Sequence, residues 1–108
     1  MELTDFILVL TTLPADGEPE KLASQLVAER LAACVNILPA MRSVYRWKNA
    51  IERADERQLV IKTTRARVTA LESRLRALHP YDVPEFLVLP LDSGSADYLS
   101  WLTESTSG

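Results

Sequence analysis

From Phe6 to Leu10 the chain reads Phe-Ile-Leu-Val-Leu, a short continuous apolar run with the pattern of a strand covered on both faces, and the segment from Thr11 to Gly17 then breaks it. Leu22, Ala23, Leu26, Val27 and Leu31 recur at helical spacing as a wide apolar stripe, which predicts a first helix over about 18 to 32. Pro19 is tolerated in its first turn, and Asp16 stands close enough to cap it. From Cys34 to Trp47 the residues favour a second strand, bent or bulged at Pro39, with Ser43, Tyr45 and Trp47 on one face and Val44 and Arg46 on the other. Lys48-Asn49-Ala50 carries the next turn, since Asn49 tolerates positive φ, and a third strand runs from Ile51 to about Thr63. Val68, Leu71, Leu75 and Leu78 mark a second helix with Thr64 in capping position, Phe86 to Leu89 a fourth strand, and Ala96 to Thr103 a short closing helix.

The order βαββαβ with a terminal helix predicts an α+β fold, the ferredoxin-like sandwich of the split βαβ type, as one domain over residues 1–108. Strands two and three, at roughly 3.3 Å per residue, would make a hairpin about 40 Å long, against a radius of gyration of roughly 13 Å for a domain of this size. Such a hairpin overhangs its own sheet. It carries Val44, Tyr45, Trp47, Ile51 and Leu59, so apolar surface and unpaired edges would face water unless copies associate. A homo-oligomer is expected.

Charge narrows the partners. With 12 basic and 15 acidic side chains in 108 residues, a net charge of −3 and no basic run, the chain lacks the electrostatic footprint of a nucleic-acid binder. Cys34 is the single cysteine and has no partner for an internal disulfide, and Glu2 and Asp5 differ from the basic start of a signal peptide, so a cytoplasmic location is expected. No apolar stretch approaches the roughly 20 residues of a spanning helix, which predicts a soluble protein with no membrane partner. The three glycines build no phosphate cradle, and no nucleophile is paired in sequence with a base; a non-enzymatic role follows as the expectation.

The stretch Leu78-His-Pro-Tyr-Asp-Val-Pro-Glu85 holds the one histidine of the chain just before two prolines, Pro80 and Pro84, that fix φ and remove backbone donors. His79, at the end of the second helix, suits a metal ligand, a pH-sensitive contact or a helix-end hydrogen bond to a carbonyl. Cys34 reads either as a small core residue or as a further ligand.

Five segments, Glu29-Arg-Leu-Ala-Ala-Cys-Val-Asn-Ile37, Ser43-Val-Tyr-Arg-Trp47, Val60-Ile-Lys-Thr63, His79-Pro-Tyr-Asp-Val-Pro-Glu85 and Tyr98-Leu-Ser-Trp101, resemble the CutA divalent-cation tolerance family in content and order. The resemblance implies a ferredoxin-like homotrimer, similar in architecture to PII signalling proteins, whose members associate with copper and other divalent cations. Two positions depart from the pattern. Asn49 replaces a glycine that usually follows the hairpin tryptophan by two residues, and it keeps access to positive φ. Where some bacterial members place a copper-binding cysteine and a double histidine, this chain has Thr11, Leu78 and His79, so only His79 remains. Soft-metal sites want three or four ligands. His79 is therefore the candidate metal ligand, with Cys34 and Glu85 as further candidates and trimer symmetry as the route that brings several chains' His79, Asp82 or Glu85 together.

Tyr45, Trp47, Glu56, Lys62, His79, Tyr81 and Glu85 fall at motif positions and mix rings with charge. Either Lys62 and Glu56 pair across subunits while the rings pack an interface, or Tyr45, Trp47, Glu56, Lys62, Tyr81 and Glu85 form an inter-subunit ligand pocket. The resulting expectation is a trimer of the CutA type acting in copper tolerance or homeostasis, with weak or inter-subunit cation binding. The alternatives are a PII-like sensor that takes a small organic or anionic ligand between subunits, and a trimeric scaffold for another protein.

Overall fold

β1 (Phe6–Pro14) occupies an inner position of the sheet in the computed structural model, which describes residues 5–108. It pairs antiparallel with β4 (Ala50–Thr64) along its whole length, from Phe6 opposite Thr64 to Pro14 opposite Glu56, and with the short β5 (Leu87–Pro90) on its other side. Strand side chains alternate between faces, so Ile7, Val9 and Leu13 share one face with Leu59 and Ile61 of β4. That face is the core. Leu22 and Leu26 of α1 (Pro19–Ala28) and Leu71 and Leu75 of α2 (Val68–Leu78) close over it, each at or near zero exposure. The predicted apolar stripes of both helices are thus the stripes that pack. With all strands antiparallel in the order β2-β4-β1-β5 and both helices on one face, the fold is ferredoxin-like.

The first helix is shorter than its apolar stripe predicts. It stops at Ala28 because Arg30 takes a left-handed φ of 60°, and the Arg30 and Leu31 amides then donate to the carbonyls of Val27 and Leu26, both at 3.0 Å. These crossed bonds form a Schellman motif and fold Leu31 back beside Leu26, so Leu31 joins the core from outside the helix. Asp16 does not cap α1: Glu18 holds the capping position without a side-chain bond, and Pro19 removes a donor that would otherwise need one. Nor does Thr64 cap α2. A 3₁₀ turn, Arg65–Arg67, intervenes, and the Thr64 hydroxyl lies 3.4 Å from that of Thr106.

The second predicted strand is two segments, β2 (Cys34–Ile37) and β3 (Met41–Trp47), which pair successively with β4. Between the rungs Ile37–Leu59 and Met41–Glu56, three residues, Leu38, Pro39 and Ala40, oppose two, Arg57 and Gln58. This is the bulge expected at Pro39, where proline cannot donate to the ladder. The tip has two residues, Lys48 and Asn49, with φ of 49° and 65°, a type I′ turn between the paired Trp47 and Ala50.

β1 ends opposite Glu56, so the ribbon of β3 and the first residues of β4 extends beyond the sheet with no third strand. The molecule measures 45 × 26 × 24 Å, and Val44 and Ile51 on the ribbon are 61% and 60% exposed. The second sheet face is only partly covered. α3 (Ala96–Ser105), with Ser95 accepting from the Tyr98 amide, sets Leu99 and Leu102 against Phe6 and Ala33. Leu8, Leu10, Val60, Leu87 and Leu89 share the rest of that face by register, and Leu87 and Leu89 stay exposed.

Candidate functional site

A cleft of about 680 Å³ lies where the overhanging ribbon meets the loop after α2. One wall follows from register. Met41, Ser43, Tyr45 and Trp47 pair with Glu56, Ala54, Glu52 and Ala50, and paired residues share a face, so the side chains at 41, 43, 45 and 47 stand on the same face as Glu56 and Gln58. The opposite wall is Pro80 to Glu85, the segment after α2 that carries Pro80 and Pro84.

That second wall is tied to the sheet at both ends of a chain of three hydrogen bonds through His79 and Tyr81. His79 ends α2, is 8% exposed, and its Nε2 donates to the Thr12 carbonyl at 2.6 Å. Nδ1 accepts from the Tyr81 amide at 3.1 Å. A carbonyl only accepts and an amide only donates, so this pair of partners places the proton on Nε2 and occupies the Nδ1 lone pair. In this arrangement neither nitrogen has a lone pair to offer a cation. The imidazole also lies 4.8 Å from the Tyr81 ring, whose hydroxyl donates to Glu56 Oε2 at 2.8 Å. Burial and the neighbouring Glu56 carboxylate together push the Tyr81 phenol well above the usual tyrosine range. Tyr81 therefore stays a donor, and Glu56, at 7% exposure, keeps an acceptor bond in a half-dry place.

Gln58 performs the same task beside it. Its amide Nε2 donates to the Thr11 carbonyl at 2.7 Å and to Glu85 Oε2 at 2.9 Å. Gln58 was not singled out from sequence, although it stands two residues from Glu56 on one strand and so had to share its face.

Of the six residues expected to form a pocket, Tyr45, Trp47, Glu56, Tyr81 and Glu85 line this cleft, and Lys62 does not. Lys62 is six residues along β4 from Glu56, about 20 Å away at strand rise, opposite Cys34 and with its ammonium 5.7 Å from the Tyr98 ring. Within one chain the pair is therefore too far apart to meet. Cys34 is half-buried at the start of β2, on the sheet face opposite the core. Among the described residues no three His, Cys, Asp or Glu side chains gather closely enough to hold a metal ion; His79 and Glu85 belong to the segment that walls the cleft, whereas Cys34 stands at the start of β2 opposite Lys62. Thr11, at the position where the resemblance implies a cysteine ligand, is fully buried on the core face.

Comparison with known proteins places the whole fold. A family model for the CutA1 divalent ion tolerance protein matches residues 7–105. The divalent-cation tolerance protein CutA of Pectobacterium atrosepticum is 45% identical over 103 residues, 95% of this chain and 94% of that protein. Among solved structures, the divalent cation tolerance protein of Thermus thermophilus superposes with a TM-score of 0.90 at 44% identity, covering 94% of this chain and 99% of that one. CutA1 of Oryza sativa gives 0.91 at 40% identity, with 98% of each chain covered.

Proposed function

The chain belongs to the CutA1 divalent ion tolerance family, and from that premise we propose that it serves divalent-cation tolerance as a homotrimer whose cation contacts, copper included, are made between subunits and are weak. The observation that carries this reading is that His79 spends both nitrogens inside its own subunit. With Thr11 buried among apolar side chains, Leu78 apolar and Cys34 a lone half-buried thiol, what remains for a cation is carboxylate, and since no three such groups converge closely enough among the described residues, symmetry is the route that would gather them. Calorimetric titration of the wild type, His79→Ala and Cys34→Ser with copper tests it. Binding weaker than about 1 μM that responds to neither substitution is expected. A submicromolar site lost with His79 would place the cation inside the subunit and reject the reading.

The cleft favours a second reading. A cavity of about 680 Å³ lined by rings with a few fixed polar groups has the dimensions and make-up of small-molecule sites, which supports a sensor that takes an organic ligand. Titration with a metabolite panel separates the two, since a tolerance protein acting on metal alone leaves the cleft silent.

A further inference from the structure

The cleft's lining is one-sided in charge. It holds three carboxylates, Glu56, Asp82 and Glu85, and three aromatic rings, Tyr45, Trp47 and Tyr81, and among the described residues no lysine or arginine lines it. The geometry points to an organic cation, an amine or quaternary ammonium, as the ligand of this cleft. The inference rests on the reading of the cleft as a small-molecule site and names the class it takes.

An anion is disfavoured by the lining itself. Bringing a phosphate or carboxylate against fixed carboxylates adds like-charge repulsion on top of its own desolvation, with no guanidinium, ammonium or helix N-terminus in the lining to offset either. The Lys48 ammonium at the hairpin tip lies 5.8 Å from the Trp47 ring centroid and is not part of the lining. A bare divalent metal fits no better. It needs several oxygens converging at roughly 2.0–2.6 Å, and no such grouping exists among the described residues.

An organic cation matches both halves of the lining at once. Its charge is drawn to the faces of Tyr and Trp rings, an attraction that strengthens as water leaves. Its N–H groups, or the polarised methyls of a quaternary ammonium, meet carboxylates already oriented. Glu56 accepts from the Tyr81 hydroxyl at Oε2 and Glu85 from Gln58, one bond each, and a carboxylate has about four acceptor sites. Those donors hold the acids in place without neutralising them. His79 sets the aromatic wall by accepting the Tyr81 amide. It is a positioning residue here.

The probes are spermidine and benzyltrimethylammonium, against citrate and adenosine triphosphate as anions, titrated into the intact protein and followed by calorimetry. Tryptophan fluorescence is read in a Trp101→Phe background so that Trp47 alone reports. Saturable binding of at least one cationic probe is expected, with neither anion competing. Glu85→Gln and Tyr45→Ala, both at partly exposed positions that the fold tolerates, should each weaken it on the order of tenfold. Lys21→Ala, exposed on α1 and outside the cleft, should leave it unchanged. Anion binding that quenches Trp47 would overturn the ligand class and keep the cleft as a small-molecule site. Silence from all four probes would reject the site itself. Cation binding indifferent to Glu85→Gln and Tyr45→Ala would be general attraction to an acidic surface and would also overturn the inference.

Discussion

Thr11 shows at the scale of one residue how the fold assigns a cost that its neighbours conceal. Its hydroxyl is buried with no hydrogen-bond partner, opposite Leu59 and on the core face. An unpaired buried hydroxyl forfeits its bonds to water, so Thr11→Val, which keeps the branched shape, should stabilise by about 1 kcal/mol and raise the melting midpoint by roughly 4 °C. A lower midpoint in thermal denaturation would mean that the hydroxyl does find a partner. Tyr81 makes a pH-dependent contribution of opposite tendency. Its phenol is held above the ordinary tyrosine value in the folded state, by burial first and by the Glu56 carboxylate second. The folded state therefore keeps a proton that the unfolded chain gives up. This contribution is whole below the unfolded value of about 10 and is lost as pH rises from there toward the folded value. Urea midpoints taken between about pH 9 and 11 should fall more steeply for the wild type than for Tyr81→Phe, which has no phenol to titrate. Parallel slopes would remove Tyr81 from the account. His79 was legible as a special residue from the prolines that follow it. Its partners were not, because the Thr12 carbonyl lies far away in sequence and only the β1–α2 packing brings it within reach.

Elements ended where backbone conformation decided, and apolar pattern alone does not carry that information. The stripe through Leu31 is continuous, yet α1 stops at Ala28 because the chain turns left-handed at Arg30 and delivers Leu31 to the same core by another path. A non-glycine residue there bears a steric cost that glycine avoids. Arg30→Gly should accordingly stabilise by about 0.5 to 1 kcal/mol, while Arg30→Ala, which keeps the Cβ and loses the side chain's long 3.4 Å contact with the Glu104 carbonyl, should not. Denaturant midpoints of the two variants distinguish backbone strain from lost contact; a gain in both would point to the side chain. The hairpin was read with more success. Asn49 and Pro39 are residues with few conformational options, and the turn and the bulge sit where those options lead.

For the whole molecule, length was the informative quantity. A β4 of 15 residues pairs with a β1 of 9, so part of the ribbon has no sheet beneath it, and the radius of gyration of 14.5 Å exceeds the roughly 13 Å of a rounder domain. Val44 and Ile51 on the ribbon and Leu87 and Leu89 on the open sheet face are apolar and exposed in the single chain. Association through these surfaces should appear in sedimentation as about three times the chain mass of 12.1 kDa. Leu89→Glu, a charge placed on an exposed strand position that the monomer tolerates, should shift the protein toward smaller species without unfolding it. A wild type that sediments as a monomer at micromolar concentration would reject the trimer.

The amino-acid sequence by itself determined the faces of both core helices, the turn at Asn49, the bulge at Pro39 and the shared face of Tyr45 and Trp47. Each of these is set by local periodicity, by residues with restricted φ or by strand parity, all of which act over a few positions. Tertiary structure alone decided that Lys62 lies beside Tyr98, away from the cleft of its own subunit, that Gln58 joins Glu85, and that His79 turns both nitrogens inward. Those outcomes depend on which strand ends stand beside which loop. A one-residue bulge, which reverses the parity between β2 and β3 so that Met41, Ser43, Tyr45 and Trp47 leave the face Val35 and Ile37 share, contributes to that arrangement, as does the left-handed helix end that returns Leu31 to the core.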